Sequence, residues 1–236
     1  MTTPRNIIAR ALAVLFSLGA LLSHPAHAGR PMVTEDAGVL DSGDCELESF
    51  KAWARARQSA SEQLLSAQIG CGIGWNSQLA LAASRWQSGS ARTPGLTLSG
   101  KTALNQATEG GAAWALAWAV AAEDDGGWSR TGHALNGVVS VPLNDTLNLH
   151  ANLGWSHARR EHQQTTHWAI GLEQSLNDRW DLTGESFGDD RDHDPWFQIG
   201  LRWAALPERL SLDTSLGRQS GSQQATVFSL GLKLAF

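Results

Sequence analysis

Thr226-Val227-Phe228-Ser229-Leu230-Gly231-Leu232-Lys233-Leu234-Ala235-Phe236 decides how the rest of this chain is read. In an extended strand, successive side chains point to opposite faces. Thr226, Phe228, Leu230, Leu232, Leu234 and Phe236 therefore share one side, and Val227, Ser229, Gly231, Lys233 and Ala235 share the other. The ribbon has one oily face and one face that is small or polar.

The same period of two recurs toward the N-terminus. Leu65, Ala67, Ile69, Cys71 and Ile73 alternate with Leu64, Ser66, Gln68 and Gly70. Leu79, Leu81 and Ala83 follow, and after Pro94 come Leu96, Leu98, Gly100, Thr102 and Leu104. Trp114, Leu116, Trp118 and Val120 alternate with alanines 113, 115, 117 and 119. Leu147, Leu149, Ala151, Leu153 and Trp155 alternate with Asn148, His150, Asn152, Gly154 and Ser156. Turn signals such as Pro142-Leu143-Asn144-Asp145 and Asn177-Asp178-Arg179 separate the runs. Counting a less regular segment from about Asp44 to Arg57 as the first gives about 12 strands. Their length, roughly 9 to 13 residues, suits strands that cross hydrocarbon at a tilt.

Arg5 and Arg10 precede the apolar stretch 11–22, and Pro25 and Ala26-His27-Ala28 follow it. This is the layout of a secretory signal peptide and is too short to span a bilayer. The expected organisation is a signal peptide over 1–28, a periplasmic N-terminal segment over 29–43, which either plugs the lumen or caps the periplasmic mouth, and a β-barrel over 44–236. Without Arg5 and Arg10, 16 basic face 23 acidic residues, and no basic stripe suggests nucleic acid as a partner.

An exported chain of amphipathic strands without a spanning helix predicts an all-β fold, a transmembrane antiparallel up-and-down barrel. Lipid offers no hydrogen-bond partners, so the first strand must pair with the last. The final strand, with Phe228, Leu230, Leu232, Leu234 and Phe236 outward, is similar to the assembly signal of bacterial outer-membrane barrels. That implies barrel assembly machinery, periplasmic chaperones and outer-membrane lipids as partners, and the bacterial outer membrane as location. Strand parity predicts periplasmic turns near 74–77, 106–110, 142–146, 177–179 and 205–208. External loops are predicted near 58–62, 88–94, 123–130, 158–166, 188–195 and 218–224, and they carry more charge, as in Glu123-Asp124-Asp125. Trp75, Trp114, Trp180, Trp203 and Phe236 are expected in a periplasmic belt, and Trp86, Trp128, Trp155, Trp168 and Trp196 in an external one.

The inward set predicted to line the lumen and set selectivity is Lys101, His150, Asn152, Glu173, Asp181, Glu185, Arg202, Asp213 and Lys233. Basic and acidic positions interleave along the later strands. The first strand is ambiguous, because neither Cys45-Leu47-Ser49-Lys51-Trp53 nor Glu46-Glu48-Phe50-Ala52-Ala54 is cleanly apolar. Cys45 and Cys71 would sit opposite each other in the first hairpin, and a disulfide there would set that register.

Residues Arg30-Pro31-Met32-Val33-Thr34-Glu35-Asp36-Ala37-Gly38-Val39-Leu40 and Cys45-Glu46-Leu47-Glu48 resemble the opening of a family of outer-membrane transporters. That family is named for its association with the meta-cleavage pathway of phenol degradation. The resemblance covers about 20 residues and implies a small-molecule uptake channel, with aromatic or apolar compounds among its solutes. It brings no binding residues with it.

Other readings are weaker. Asp189, Asp190, Asp192 and Asp194 are oxygen-rich but lack a calcium-loop spacing, and His157, His162 and His167 match no zinc site. His150 and Asn152 share a face, as the base and orienting partner of a lipid hydrolase would, but no serine in a nucleophile context accompanies them. The expectation is a passive, cofactor-free, non-enzymatic channel for small solutes. A lipid hydrolase and a sealed barrel presenting its loops to partners are the alternatives.

Overall fold

The computed structural model describes residues 30–56, 61–105, 111–192, 194–221 and 224–236. The segment expected as a signal peptide lies outside them. Twelve antiparallel strands form one closed barrel in sequence order. They are β1 (Cys45–Arg55), β2 (Glu62–Gly74), β3 (Ser77–Ser88), β4 (Ala91–Ala103), β5 (Ala113–Asp124) and β6 (Trp128–Asn144). The second half comprises β7 (Leu147–Ala158), β8 (Gln163–Asn177), β9 (Trp180–Asp189), β10 (Trp196–Leu206), β11 (Leu210–Gln219) and β12 (Thr226–Ala235).

Closure is complete. β1 pairs with β12 from Glu46↔Ala235 to Arg55↔Thr226, and the Phe236 and Cys45 backbones exchange hydrogen bonds beyond that ladder. No strand edge is left unpaired, as a wall immersed in lipid requires. The apolar alternation points outward: Leu81, Leu98, Leu116, Ile170, Ile199, Phe228, Leu230, Leu234 and Phe236 are all exposed. Residues between them, such as Ala117, Asn136 and Ser229, are buried inside.

Cys45 and Cys71 are joined in a disulfide with a Cα–Cα distance of 4.2 Å. Their pairing turns Glu46 and Glu48 inward, where both are buried, and leaves Leu47 outward. The irregular face of β1 is thus the one that carries two carboxylates into the interior.

Several details depart from the sequence reading. β3 and β4 are joined by a two-residue link at 89–90 with Gly89 at φ 59°, not by a loop over 88–94. Pro94 lies inside β4, just before the β4–β5 ladder begins at Gly95↔Glu123. There β4 has only β3 as a neighbour, an edge position that tolerates a missing N–H. Trp86 and Trp196 do not join an outer belt. Trp86 shares the inward parity of Ala80, and Trp196 is 2% exposed and stacks on Phe187 inside the barrel with ring centroids 6.1 Å apart. Trp118, outward, lies over Gly100, and Trp53 stacks on Phe228 on the outer wall.

The sequence leaves open whether the segment before β1 plugs the lumen or caps the periplasmic mouth; residues 30–40 run through the interior. Met32, Thr34, Glu35, Asp36 and Ala37 are at most 4% exposed. The chain then leaves beside β2, where Ser42 bridges Gly72 in parallel, and turns into β1.

Candidate functional site

The site is the lumen together with the segment that occupies it. All nine predicted lining residues lie on inward positions, and most of them hold this segment or each other. Glu185 on β9 accepts hydrogen bonds from the Val33 N–H, the Thr34 N–H and the Thr34 hydroxyl at 2.7–3.0 Å. Asn152 on β7 makes a reciprocal pair with the Glu35 backbone, accepting from its N–H at 2.7 Å and donating to its carbonyl at 2.9 Å. Lys101 on β4 donates to the Asp36 carbonyl at 2.6 Å and lies 3.6 Å from its carboxylate. Arg202 on β10 donates to the Arg30 carbonyl at 2.8 and 3.0 Å.

The remaining predicted residues complete the charge pattern. Arg202 also faces Glu173 at 3.2 Å and Asp181 at 3.4 Å, so one guanidinium serves two carboxylates and a carbonyl. Asp213 binds Arg30 at 3.2 Å. Lys233 lies 3.2 Å from Glu46. His150 shares a 2.8 Å hydrogen bond with Ser140, and the Ser140 oxygen in turn accepts the Ala37 N–H. Buried pairs of this kind cost desolvation that their attraction roughly offsets, so they specify a position more than they stabilise it.

The wall is shaped for its occupant. A Cβ on Gly200 would lie 2.4 Å from the ring of Pro31, and one on Gly231 would meet the Arg30 side chain at 2.6 Å. Both glycines face inward, where alternation would otherwise place a side chain. Ala37 packs against Ala115 and Val138, so the alanine row of β5 leaves room for backbone to pass.

Sequence reasoning missed the segment's own residues and several of their partners. Arg30 donates to Asp213 and Ser229, and its guanidinium stands 3.9 Å over the Phe50 ring. Gln78 accepts the Leu40 N–H, and Gln198 donates to the Pro31 carbonyl. Glu35 is held by Asn136 at 3.3 Å, and burial pushes its carboxyl up to about 7 against the pull of Lys101. Beside it lies a cavity of about 20 Å³, enough for one water, lined by Val33, Glu35, Asn136, Asn152, His167, Trp168 and Ala169. A hint was present in the sequence: an excess of inward polar residues on strands whose lumen is narrow.

The other chemical readings find little support. A serine does pair with His150, but Asn152 is bound to Glu35 rather than to the imidazole, and the pair is covered by Ala37. Among the described residues, no cluster of three or more His, Cys, Asp or Glu is placed to hold a metal ion.

A family model matches residues 17–236. The chain belongs to the family described as Uncharacterised conserved protein UCP029691. No curated protein matches the sequence. Among solved structures, the chain is similar to the COG4313 outer membrane channel from Pseudomonas putida F1, at 10% identity and a TM-score of 0.61, over 85% of this chain and 98% of that one. It is similar to the KdgM porin at 9% identity and a TM-score of 0.60, over 80% and 99%. It also matches the outer membrane phospholipase A from Escherichia coli at 9% identity and a TM-score of 0.51, over 92% and 96%. At these identities the likeness is one of fold, and the fold is that of outer-membrane barrels.

Proposed function

We propose that the protein is a passive outer-membrane channel for small solutes, held closed by residues 30–40. The observation that carries this reading is how the segment is fixed. Its backbone is bound chiefly by side chains of the wall, namely Gln78, Lys101, Ser140, Asn152, Glu185, Gln198 and Arg202. Such bonds contribute about 1 kcal/mol each and exchange for water once the lumen hydrates. Withdrawal of the segment toward β1 would uncover a polar wall with alternating charge, through which solutes diffuse without energy coupling.

In this reading the end bearing the chain termini faces the periplasm and the opposite loops face outward. Phe236 and the outward residues of β12 serve recognition by the barrel assembly machinery, after chaperones escort the exported chain across the periplasm. The preference for aromatic or apolar solutes rests on the resemblance of Arg30–Leu40 to the phenol-pathway transporters. It is supported by an apolar patch inside the barrel, where Phe187, Trp196 and Val227 meet Val33.

Liposome swelling with neutral sugars and aromatic acids tests the proposal. Purified protein carrying Glu185→Ala should admit small solutes faster than wild type, aromatic acids included. No flux of any solute from either protein would favour the sealed barrel instead.

A further inference from the structure

On the outer wall, charge is distributed unevenly around the barrel. On six adjacent strands, β11, β12 and β1 to β4, five outward positions are charged, and all five are basic: Lys51, Arg55, Arg85, Arg92 and Arg218. Arg55, Arg92 and Arg218 lie at or one residue from the strand ends away from the chain termini, Arg85 lies three residues from that end, and Lys51 four. The same faces nearer the termini carry Leu47, Ile73, Leu79, Leu212 and Leu234. None of the five cations forms an ion pair with a carboxylate among the described residues. The acidic loop residues Asp125, Asp190 and Asp192 belong to connections outside this sector.

Register places these cations in two flanking pairs. Arg55 and Arg218 stand on either side of Thr226 in one ladder row. Lys51 and Arg85 stand on either side of Leu65 in another. Members of each pair are two strands apart, roughly 9–10 Å, within reach of one anionic group for side chains this long. The row between them holds Trp53 stacked on Phe228, then Gln63, Gln87 and Arg92. Lys51 is 5.0 Å from the Trp53 ring, so it extends toward the loop end along an aromatic surface.

We propose that this stripe binds a phosphorylated glycolipid of the outer leaflet, with phosphates between the paired cations and acyl chains on the apolar wall below. A cation facing hydrocarbon at mid-depth is costly, and the cost falls toward zero near the interface. Four outward cations toward that end, with Lys51 reaching toward them over Trp53 and none ion-paired among the described residues, are explained by anionic groups at that level. Two separated cation pairs match a lipid with two phosphates on a sugar backbone better than one with a single phosphodiester. The inference rests on the membrane orientation proposed above.

The test uses the full-length protein in nanodiscs and three probes: bisphosphorylated lipid A, dephosphorylated lipid A and phosphatidylglycerol. Wild type should bind the bisphosphorylated form at least tenfold more tightly than either other probe. Each of Arg55→Gln, Arg85→Gln and Arg218→Gln should lose about fivefold, the worth of one cation at a charged surface. Conductance of these variants should match wild type, because none lines the lumen. Equal affinity for lipid A with and without phosphate, or equal affinity of wild type and variants, overturns the proposal. Equal affinity for phosphatidylglycerol overturns the glycolipid assignment. Failure of wild type to enter nanodiscs at all would overturn the membrane reading itself, a separate result.

Discussion

The wall of the barrel and the segment inside it are built on opposite terms. The wall is a continuous backbone ladder in which every strand has two neighbours. The segment makes one β-bridge, at Ser42, and otherwise depends on side chains reaching in from several strands. In lipid a wall hydrogen bond has no substitute, so strands separate only together. Inside a lumen that can hydrate, the segment's bonds are replaceable one by one. In the proposed mechanism the wall is therefore the fixed frame and the segment the part that moves.

Breaking the comparison from the wall side gives the largest effect. Replacing Cys45 and Cys71 with serine frees the first hairpin and should lower barrel stability by about 3 kcal/mol. The loss is read as a lower heat-modification midpoint on gels, and wild type with reductant should show the same shift. Closed-state conductance should stay unchanged, since the bridge lies on the outer face.

From the segment side, pH is the sharper tool. Glu35 has its carboxyl raised from 4.5 to about 7, with burial the main cause. A raised carboxyl favours the docked state fully below 4.5 and loses that advantage as pH rises toward 7. The full loss is roughly 3 kcal/mol, and above about 7 it no longer grows. Lys101 and Asp36 are the charged groups facing it, and Asn136 donates a hydrogen bond to it. Conductance should therefore rise between pH 5 and 7.5 and level off, whereas Glu35→Gln should stay closed and flat across that range. Parallel curves for the two proteins would remove Glu35 from the mechanism.

A smaller effect comes from Glu185→Gln, which keeps an acceptor for Val33 and Thr34 but removes its charge. Docking should weaken by about 1 kcal/mol, a fewfold gain in open population. Limited proteolysis within residues 30–40 should quicken by the same factor while the barrel stays intact.

How much of this was legible in the sequence follows the same division. The 12 strands, their closure and the inward set from Lys101 to Lys233 follow from a period of two, because lipid on one side and a lumen on the other impose it residue by residue. Even Trp86 and Trp196 obey that parity. They were assigned to a belt by their height along the strand, when their even numbers place them with Ala80 and Gln198 inside. Residues 30–40 have no such period, since their partners are scattered over many strands. Arg30 finds Asp213, Glu35 finds Asn152 and Leu40 finds Gln78, partners 183, 117 and 38 residues away. Only closure of the barrel brings those partners together. Gly200 and Gly231 are visible in the sequence, but the Pro31 and Arg30 side chains they admit become visible only once the segment is in place.

Single-channel recording of wild type and Gly200→Leu in the same planar bilayer tests the central claim most directly, with Gly171→Leu, beside Met32, as a second route to the same displacement. A leucine at Gly200 needs the space of Pro31, and overpacking of about 2 kcal/mol should shift the segment out in a large share of molecules. The account predicts rare, brief openings in wild type and sustained current of a constant unit size in both variants. Identical traces from all three proteins, with the variants folded by heat modification, would contradict it.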